Sequence, residues 1–196
     1  PPNSADHART LLEFLGEHRS ALSPLLIMSH DFPDPDAIGS MYGLQHLVQS
    51  AFGIEARIAY SGIIGRVENQ AMVRTLRIRM HRFHPVLLKR FANVALVDTQ
   101  PVFGNNSFPG NRKATLVLDQ HPGDTPPQAG LAIVDPGCGA TCVLVAQALL
   151  QASADIPARV ATALAYGILT DTLDLYRARR GDVTQTYLEV MRHADM

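Results

Sequence analysis

A chain of 196 residues with 46% hydrophobic content carries enough material for one full core, or one domain and a fragment of a second. A net charge of −1 with a pI near 6.8 excludes association with nucleic acid or membrane through bulk charge alone. No apolar run approaches the roughly 20 residues of a membrane span and no basic flank leads into a signal core, so a cytoplasmic location without membrane attachment is expected.

Residues Ala8 to Arg19 set Leu11, Leu12 and Leu15 on one face of an amphipathic helix, and Ser23 and Pro24 lead from it into a strand, Leu25 to Met28. His30 follows that strand. Pro33 and Pro35 bar further pairing and an early helix, which holds Asp34 and Asp36 on a stiff loop. From Ala37 the apolar residues Ile38, Met41, Leu44, Leu47 and Val48 recur at helical spacing, and Gly53 after Phe52 is a stop. A second strand runs through Ala56, Ile58 and Tyr60, Gly62 and Gly65 bracket a turn, and Arg66 to Leu76 is helical. Arg77 to Phe83 shows no clear period. Three further apolar runs, Val94 to Val97, Thr115 to Leu118 and Leu131 to Val134, each finish on an aspartate: Asp98, Asp119 and Asp135. Helices follow at Thr141 to Gln151 and Ala158 to Leu169, and Asp182 caps a last one through Tyr187, Leu188 and Met191. Strands alternating with helices define an α/β domain with a mostly parallel central sheet and helices on both faces.

In such a sheet ligands collect beyond the carboxyl ends of the strands. Asp34, Asp36, Asp98 and Asp119 gathered there would repel one another unless a divalent metal or a positive substrate offset them. Asp34 before Pro35 is also a good N-cap before a proline at the first helical position, which needs no chemistry, and both readings stay open. Hard oxygen ligands with one or two imidazoles suit manganese, magnesium or cobalt, and a pair of such ions is a recurrent phosphoester-cleaving device. Asp98, alone at the end of a central strand, is the natural bridging carboxylate.

Four ordered motifs resemble the DHH phosphoesterase superfamily, which includes RecJ-like exonucleases, nanoRNase and pAp phosphatases, and related cyclic-dinucleotide phosphodiesterases. They are His30 with Asp34, Asp36, Gly39 and Ser40; VALVDT with Asp98; LDQHP with Asp119 and His121; and GILTDT with Asp171, with Gly139 to Thr141 as a glycine-led helix start. The resemblance implies that residues 1–196 form the catalytic DHH domain, with the family's smaller carboxyl-terminal substrate-binding domain absent. It implies two divalent metals, manganese first: His30, Asp34 and Asp98 would hold one, and Asp36, Asp98 and Asp171 the other. His121 would contact the scissile phosphate, and Asp119 would orient its neighbours. The activity implied is hydrolysis of phosphoester bonds in short oligonucleotides or small nucleotides, nanoRNA or pAp, by metal-activated water. Gln120 departs from the pattern, standing where the family has a histidine that binds the second metal. An amide oxygen is a poorer ligand than imidazole. Three explanations stay open: a weaker second metal, a form altered to hold substrate uncleaved, or a relative that binds nucleotides without hydrolysis. Oligomeric state is unreadable from the residues.

Several features carry two readings. Arg74, Arg77, Arg79, Arg82, Lys89 and Arg90, with no acid among them, are a solvated face or a phosphate-binding patch. The Gly104 to Gly110 segment is a lid or an ordinary mobile loop. Cys138 and Cys142 read as packing residues, His81 and His84 as surface residues and His46 as packing. Gly137 and Gly139 imitate a dinucleotide-binding turn, but Cys142 stands at the third glycine position and no ribose-binding acid follows. A start at Pro1 rather than methionine reads as a trimmed end.

Overall fold

In a computed structural model residues 4–195 are described; Pro1, whose place at the start was read above, lies outside them. Helix α1 (Ser4–Leu22) precedes β1 (Leu25–Met28), α2 (Pro35–Phe52), β2 (Ala56–Tyr60), α3 (Val67–Thr75), β3 (Met80–Arg82) and α4 (Leu87–Arg90). Then come β4 (Asn93–Val97), β5 (Ala114–Asp119), β6 (Ala129–Val134), α5 (Thr141–Gln151), α6 (Ala158–Thr172) and α7 (Gly181–Met191). The strands form one all-parallel sheet in the order β3-β2-β1-β4-β5-β6. The order reverses between β1 and β4, and that crevice is where parallel sheets of this kind bind ligands.

All four residues of β1 are buried, as its unbroken apolar run requires. The main core packs Leu25, Ile27, Ile58, Ala95 and Leu116 against α1, α2, α5, α6 and α7. On the other face Leu26, Met28, Leu96 and Val117 meet Phe91 and Phe108, with Leu87 and Leu88 of α4 packed against them. Helix α2 begins and ends as its sequence demands. The Asp34 side chain accepts from the Ala37 N–H, Pro35 occupies the first turn, and Gly53 closes the helix with φ 66°. Asp182 is not the cap of α7. Arg180 holds that position, and Asp182 sits in the first turn with its carboxylate on the Arg180 guanidinium.

Close approach of α2, α5 and α6 positions the loop after β1. A Cβ on Gly39 would stand 2.7 Å from both the Ala163 carbonyl and Cys142 Sγ; one on Gly167 would stand 2.6 Å from Cys142 Sγ and 3.0 Å from the Pro35 carbonyl. Gly167→Ala is therefore expected to cost about 1–3 kcal/mol in urea unfolding through overpacking. Gly181→Ala, where a Cβ would meet nothing within 4 Å, should stay within about 0.5 kcal/mol of the parent. Equal effects at the two sites would contradict this packing account.

Candidate metal centre

His30 lies two residues beyond β1, Asp98 immediately after β4, and Asp119 closes β5, so the parallel register brings three strand ends to one edge. His30 Nδ1 bonds the Asp31 carbonyl at 2.8 Å, which makes Nδ1 the protonated nitrogen in the neutral ring and turns Nε2 toward the acids. Nε2 is 3.4 Å from Asp98 Oδ2 and 3.8 Å from Asp34 Oδ1. A lone pair facing two carboxylates is repulsive unless a proton or a cation lies between them. Burial alone would lower the His30 pKa, but the hydrogen bonds to Asp34 and Asp98 outweigh it and raise it to about 11.

Asp98 is 3% exposed and has φ 58°, a left-handed conformation uncommon outside glycine, asparagine and aspartate. Thr141 Oγ1 donates to its Oδ1 at 2.9 Å. Burial, opposed by the His30 hydrogen bond and assisted by the Asp34 charge, pushes its pKa up. Burial likewise raises Asp36, with the charges of Asp98 and Asp171 adding to it, and raises Asp171 beside Asp98. Asp34 goes the other way: burial would raise it, and His30 with the Ala37 amide brings it below the usual range. No arginine or lysine salt bridge is present on Asp34, Asp36, Asp98 or Asp171 among the described residues, whereas Asp135 is held by Arg180 at 2.8 Å and so leaves the group.

Donor atoms of His30, Asp34 and Asp98 all lie within 4.8 Å of one another, as do those of Asp98, Asp119 and His121, and Asp98 belongs to both sets. Among the described residues Asp36 and Asp171 complete no such set. Asp36 is 1% exposed, and its two oxygens accept from the Thr141 and Cys142 amides at 2.7 and 2.8 Å, capping α5 from more than a hundred residues away. Asp171 accepts from Gln120 Nε2. The capping role read for Asp34 is realised through Oδ1.

His121 is half exposed, with Nδ1 2.9 Å from Asp119 Oδ1; that hydrogen bond holds its pKa up against burial, helped by the charge of Asp98. Asp119 is fully buried, and Gln100 Nε2 donates to its Oδ2 and to the His121 carbonyl, each at 2.8 Å. Gln100 was not singled out from the sequence; its place two residues after Asp98 was the available signal. The Gly104 to Gly110 segment is anchored at its centre to the loops after β1 and β4. Asn106 Nδ2 donates to Thr99 Oγ1 and to the Gln100 and Phe103 carbonyls, Ser107 Oγ donates to Asp31, and Phe108 is buried. His81 and His84 are exposed as read; His46 is partly buried, with Nε2 on the Asp155 carbonyl, and both cysteines are buried.

Two clefts open on the centre and share Asp171. One, about 420 Å³, is lined by Gln120, His121, Gly139, Arg177 and Arg179; the other, about 450 Å³, by His30, Phe32, Asp34, Arg66 and Asn69. The donor set suits divalent cations, because it gathers several hard carboxylate oxygens and one imidazole around an excess of buried negative charge.

Without metal, the folded state holds protons here that the unfolded chain would release. His30, raised from 6.5 to about 11, stabilises the fold fully below 6.5 and loses that contribution as pH climbs through 11. The raised carboxylates act in the same direction above their ordinary range; Asp34, lowered, opposes them only in acid. The chelated protein should thus melt at progressively lower temperature from pH about 5 to about 9, and manganese should stabilise it most at the alkaline end. A melting temperature that climbs across that range under chelation would refute this charge balance.

An all-parallel sheet with acids at its switch point defines an α/β fold with a candidate metal site where such sheets bind ligands. The family model described as "DHH family, N-terminal domain" matches residues 24–168, and the chain belongs to the DHH family. It is 34% identical over 161 residues to an uncharacterized protein of Methanocaldococcus jannaschii, covering 82% of this chain and 32% of that one, so it spans about a third of that relative's length. An exopolyphosphatase-related protein from Bacteroides fragilis superimposes with TM-score 0.67 at 18% identity, covering 96% of this chain and 56% of its own. A Methanococcus jannaschii protein described as a family II inorganic pyrophosphatase does so with TM-score 0.65 at 17% identity, covering 87% and 56%. At these identities the two structures speak to the fold. No helix among the described residues is long and apolar enough to cross a membrane.

Proposed function

We propose that the protein is a divalent-metal-dependent hydrolase of phosphoester bonds in short oligonucleotides or small nucleotides such as pAp. The observation that carries this is Asp98, whose carboxylate belongs to two sets of converging donor atoms at the switch point of the sheet. His30, Asp34 and Asp98 would hold one ion, manganese by preference; a second ion on Asp36, Asp98 and Asp171, as the resemblance implies, would have to draw Asp36 from the α5 amides and Asp171 from Gln120. When bound, such ions lower the pKa of water and offset charge on phosphoryl oxygens. The side chains supply the rest. Asp119 fixes His121 through Nδ1 and favours its protonated form, in which Nε2–H also donates and can reach an anionic phosphoryl oxygen. Gln100 holds Asp119 in turn. Arg177 and Arg179, lining the cleft beside His121, offer guanidinium groups to flanking phosphates. Across Asp171, Phe32 is 62% exposed in the second cleft and presents a ring on which a nucleobase can stack.

The test is a manganese-supplemented assay with a 5′-phosphorylated diribonucleotide, pAp and pyrophosphate side by side. Release of mononucleotide from the dinucleotide or of phosphate from pAp is expected; inactivity on both in manganese-loaded protein, whether or not pyrophosphate is cleaved, would defeat the proposal. One observation favours a second reading: Gln120 engages Asp171 directly, as in a nucleotide-binding or regulatory domain with weak or no hydrolysis. Tight nucleotide binding without turnover would select it.

A further inference from the structure

A cavity at a distance from the acids lies beside the amino end of β2. It is about 710 Å³, within the range of small-molecule sites, and Tyr42, Gln45, Arg57, Arg77, Arg79 and Arg159 line it. None of its lining residues belongs to the two clefts of the metal centre. Arg57 is level with Leu26 in the register, four positions behind His30, which separates it from the acids by about 13 Å along the strands at roughly 3.3 Å per residue.

The chain delivers each arginine to this place for a local reason. Strand β3 begins pairing only at Met80, opposite Ile58, so the position beside Arg57 on the edge carries no strand partner. Helix α3 ends in a turn where Arg77 has φ 54°, and buried Ile78 fixes the two flanking arginines outward. Arg159 lies in the first turn of α6, a helix with no capping side chain and no acid in that turn. A cation there adds to the positive end of the helix dipole instead of offsetting it. Gln45 and Gln49 both donate to the Ala56 carbonyl, at 3.0 and 3.1 Å, which ties the wall formed by α2 to β2.

No carboxylate lines the cavity; His81 is its remaining titratable group besides Tyr42 and the arginines. The side chains of Arg57, Arg77, Arg79 and Arg159 have no hydrogen-bond or ion-pair partner among the described residues, in contrast to Arg112, which donates to three carbonyls, and Arg180, which holds Asp135 and Asp182. Four of the chain's 17 lysines and arginines converge here although its net charge is −1, so the positive field is a local construction. Guanidinium groups match phosphate oxygens in bidentate fashion, and several of them around one concavity match linked phosphates better than one isolated anion.

We infer that this cavity is a second anion site, separate from the metal centre, for a small ligand carrying two or more linked phosphates. Inorganic polyphosphate and nucleoside polyphosphates share that chemistry. Helix α2 touches both places: its amino end carries Asp36 and its carboxyl half lines the cavity.

The experiment is calorimetric titration of the full chain, with chelator present, using inorganic tripolyphosphate and then ATP. Both should bind if the phosphates alone are read; preference for ATP would assign the ligand to the nucleoside polyphosphates. The Arg77→Ala/Arg79→Ala double variant should weaken binding at least about tenfold, the scale of losing one charged hydrogen bond or more. Its melting temperature and its manganese titration should match the parent. Asp98→Asn should leave tripolyphosphate binding unchanged, so this site can fail or stand independently of the proposed hydrolase. The inference is overturned by any of four results: no binding of either ligand, binding lost in Asp98→Asn but kept in the double variant, equal weakening by the exposed control Arg19→Ala, or binding of a single-stranded oligonucleotide that tripolyphosphate does not displace.

Discussion

Asp98→Asn is expected to abolish hydrolysis and, in the same protein, to raise the melting temperature measured under chelation. The substitution is close to isosteric, and asparagine tolerates the left-handed φ of 58° as aspartate does. Its amide oxygen can still accept from Thr141 Oγ1, so the local architecture has no reason to collapse. What disappears is one buried negative charge. That charge helps push Asp36 and Asp171 upward, and it is itself pushed up by burial and by Asp34. Removing it relieves repulsion that the metal-free fold bears at neutral pH. His30 loses one counter-charge but keeps Asp34. A gain near 1 kcal/mol would raise the melting temperature by about 2–4 °C in a chain of this size. Activity moves the other way, because the shared carboxylate is the one group that both donor sets require. The loss should reach at least about 10³-fold, beyond the roughly 10–100-fold typical of residues that only support a ligand. Thermal melts with and without manganese, alongside turnover, check both halves. A variant that keeps the manganese-induced shift, or retains turnover within tenfold, would remove Asp98 from the centre.

That opposition between stability and function is why the site was legible in the sequence at all. Apolar strands ending in His30, Asp98 and Asp119 follow a period-independent pattern: a buried run, then an acid where the chain leaves the sheet. Elements with long apolar runs were equally plain, and α2 and α5 were placed to within two residues. What escaped was either too short to show a period or dependent on distant partners. Strand β3 has three residues, two of them exposed, and helix α4 is a single turn. The cap of α7 was misplaced by two residues because Asp182 prefers the charge of Arg180 to the helix amides. Asp36 was legible as an acid in a motif, yet nothing local reveals that its oxygens meet the amino end of α5. The same holds for Gln100, whose role depends on Asp119 in the adjacent strand. The basic stretch from Arg74 to Arg90 read as a solvated face or a phosphate patch; only the register of β2 and the approach of α6 join Arg77 and Arg79 to Arg57 and Arg159.

Gln120→His is expected to raise both occupancy of a second metal and turnover. In the present chain the Gln120 amide donates to Asp171 Oδ2, which occupies a carboxylate that the proposed function needs as a ligand. Glutamine can satisfy that carboxylate only as a donor; its own oxygen is a neutral and weak competitor for a divalent ion. A neutral imidazole at the same position would offer a nitrogen lone pair instead, and in the absence of metal its protonated form would pair with Asp171. The exchange thus converts a contact that holds Asp171 without metal into one that gains most when metal is present. Second-ion affinity should rise by about 10–100-fold, the range in which the immediate surroundings of a metal ligand act. Manganese stoichiometry by calorimetry, read with initial rates on a 5′-phosphorylated diribonucleotide, checks the claim. Gln120→Ala separates the two roles: it frees Asp171 without adding a ligand, and a rise in turnover there equal to that of the histidine variant would show that the amide contact was the whole obstacle. Identical stoichiometry and rate in parent and histidine variant would remove residue 120 from the metal chemistry and leave Asp98, His30 and Asp34 to account for it alone.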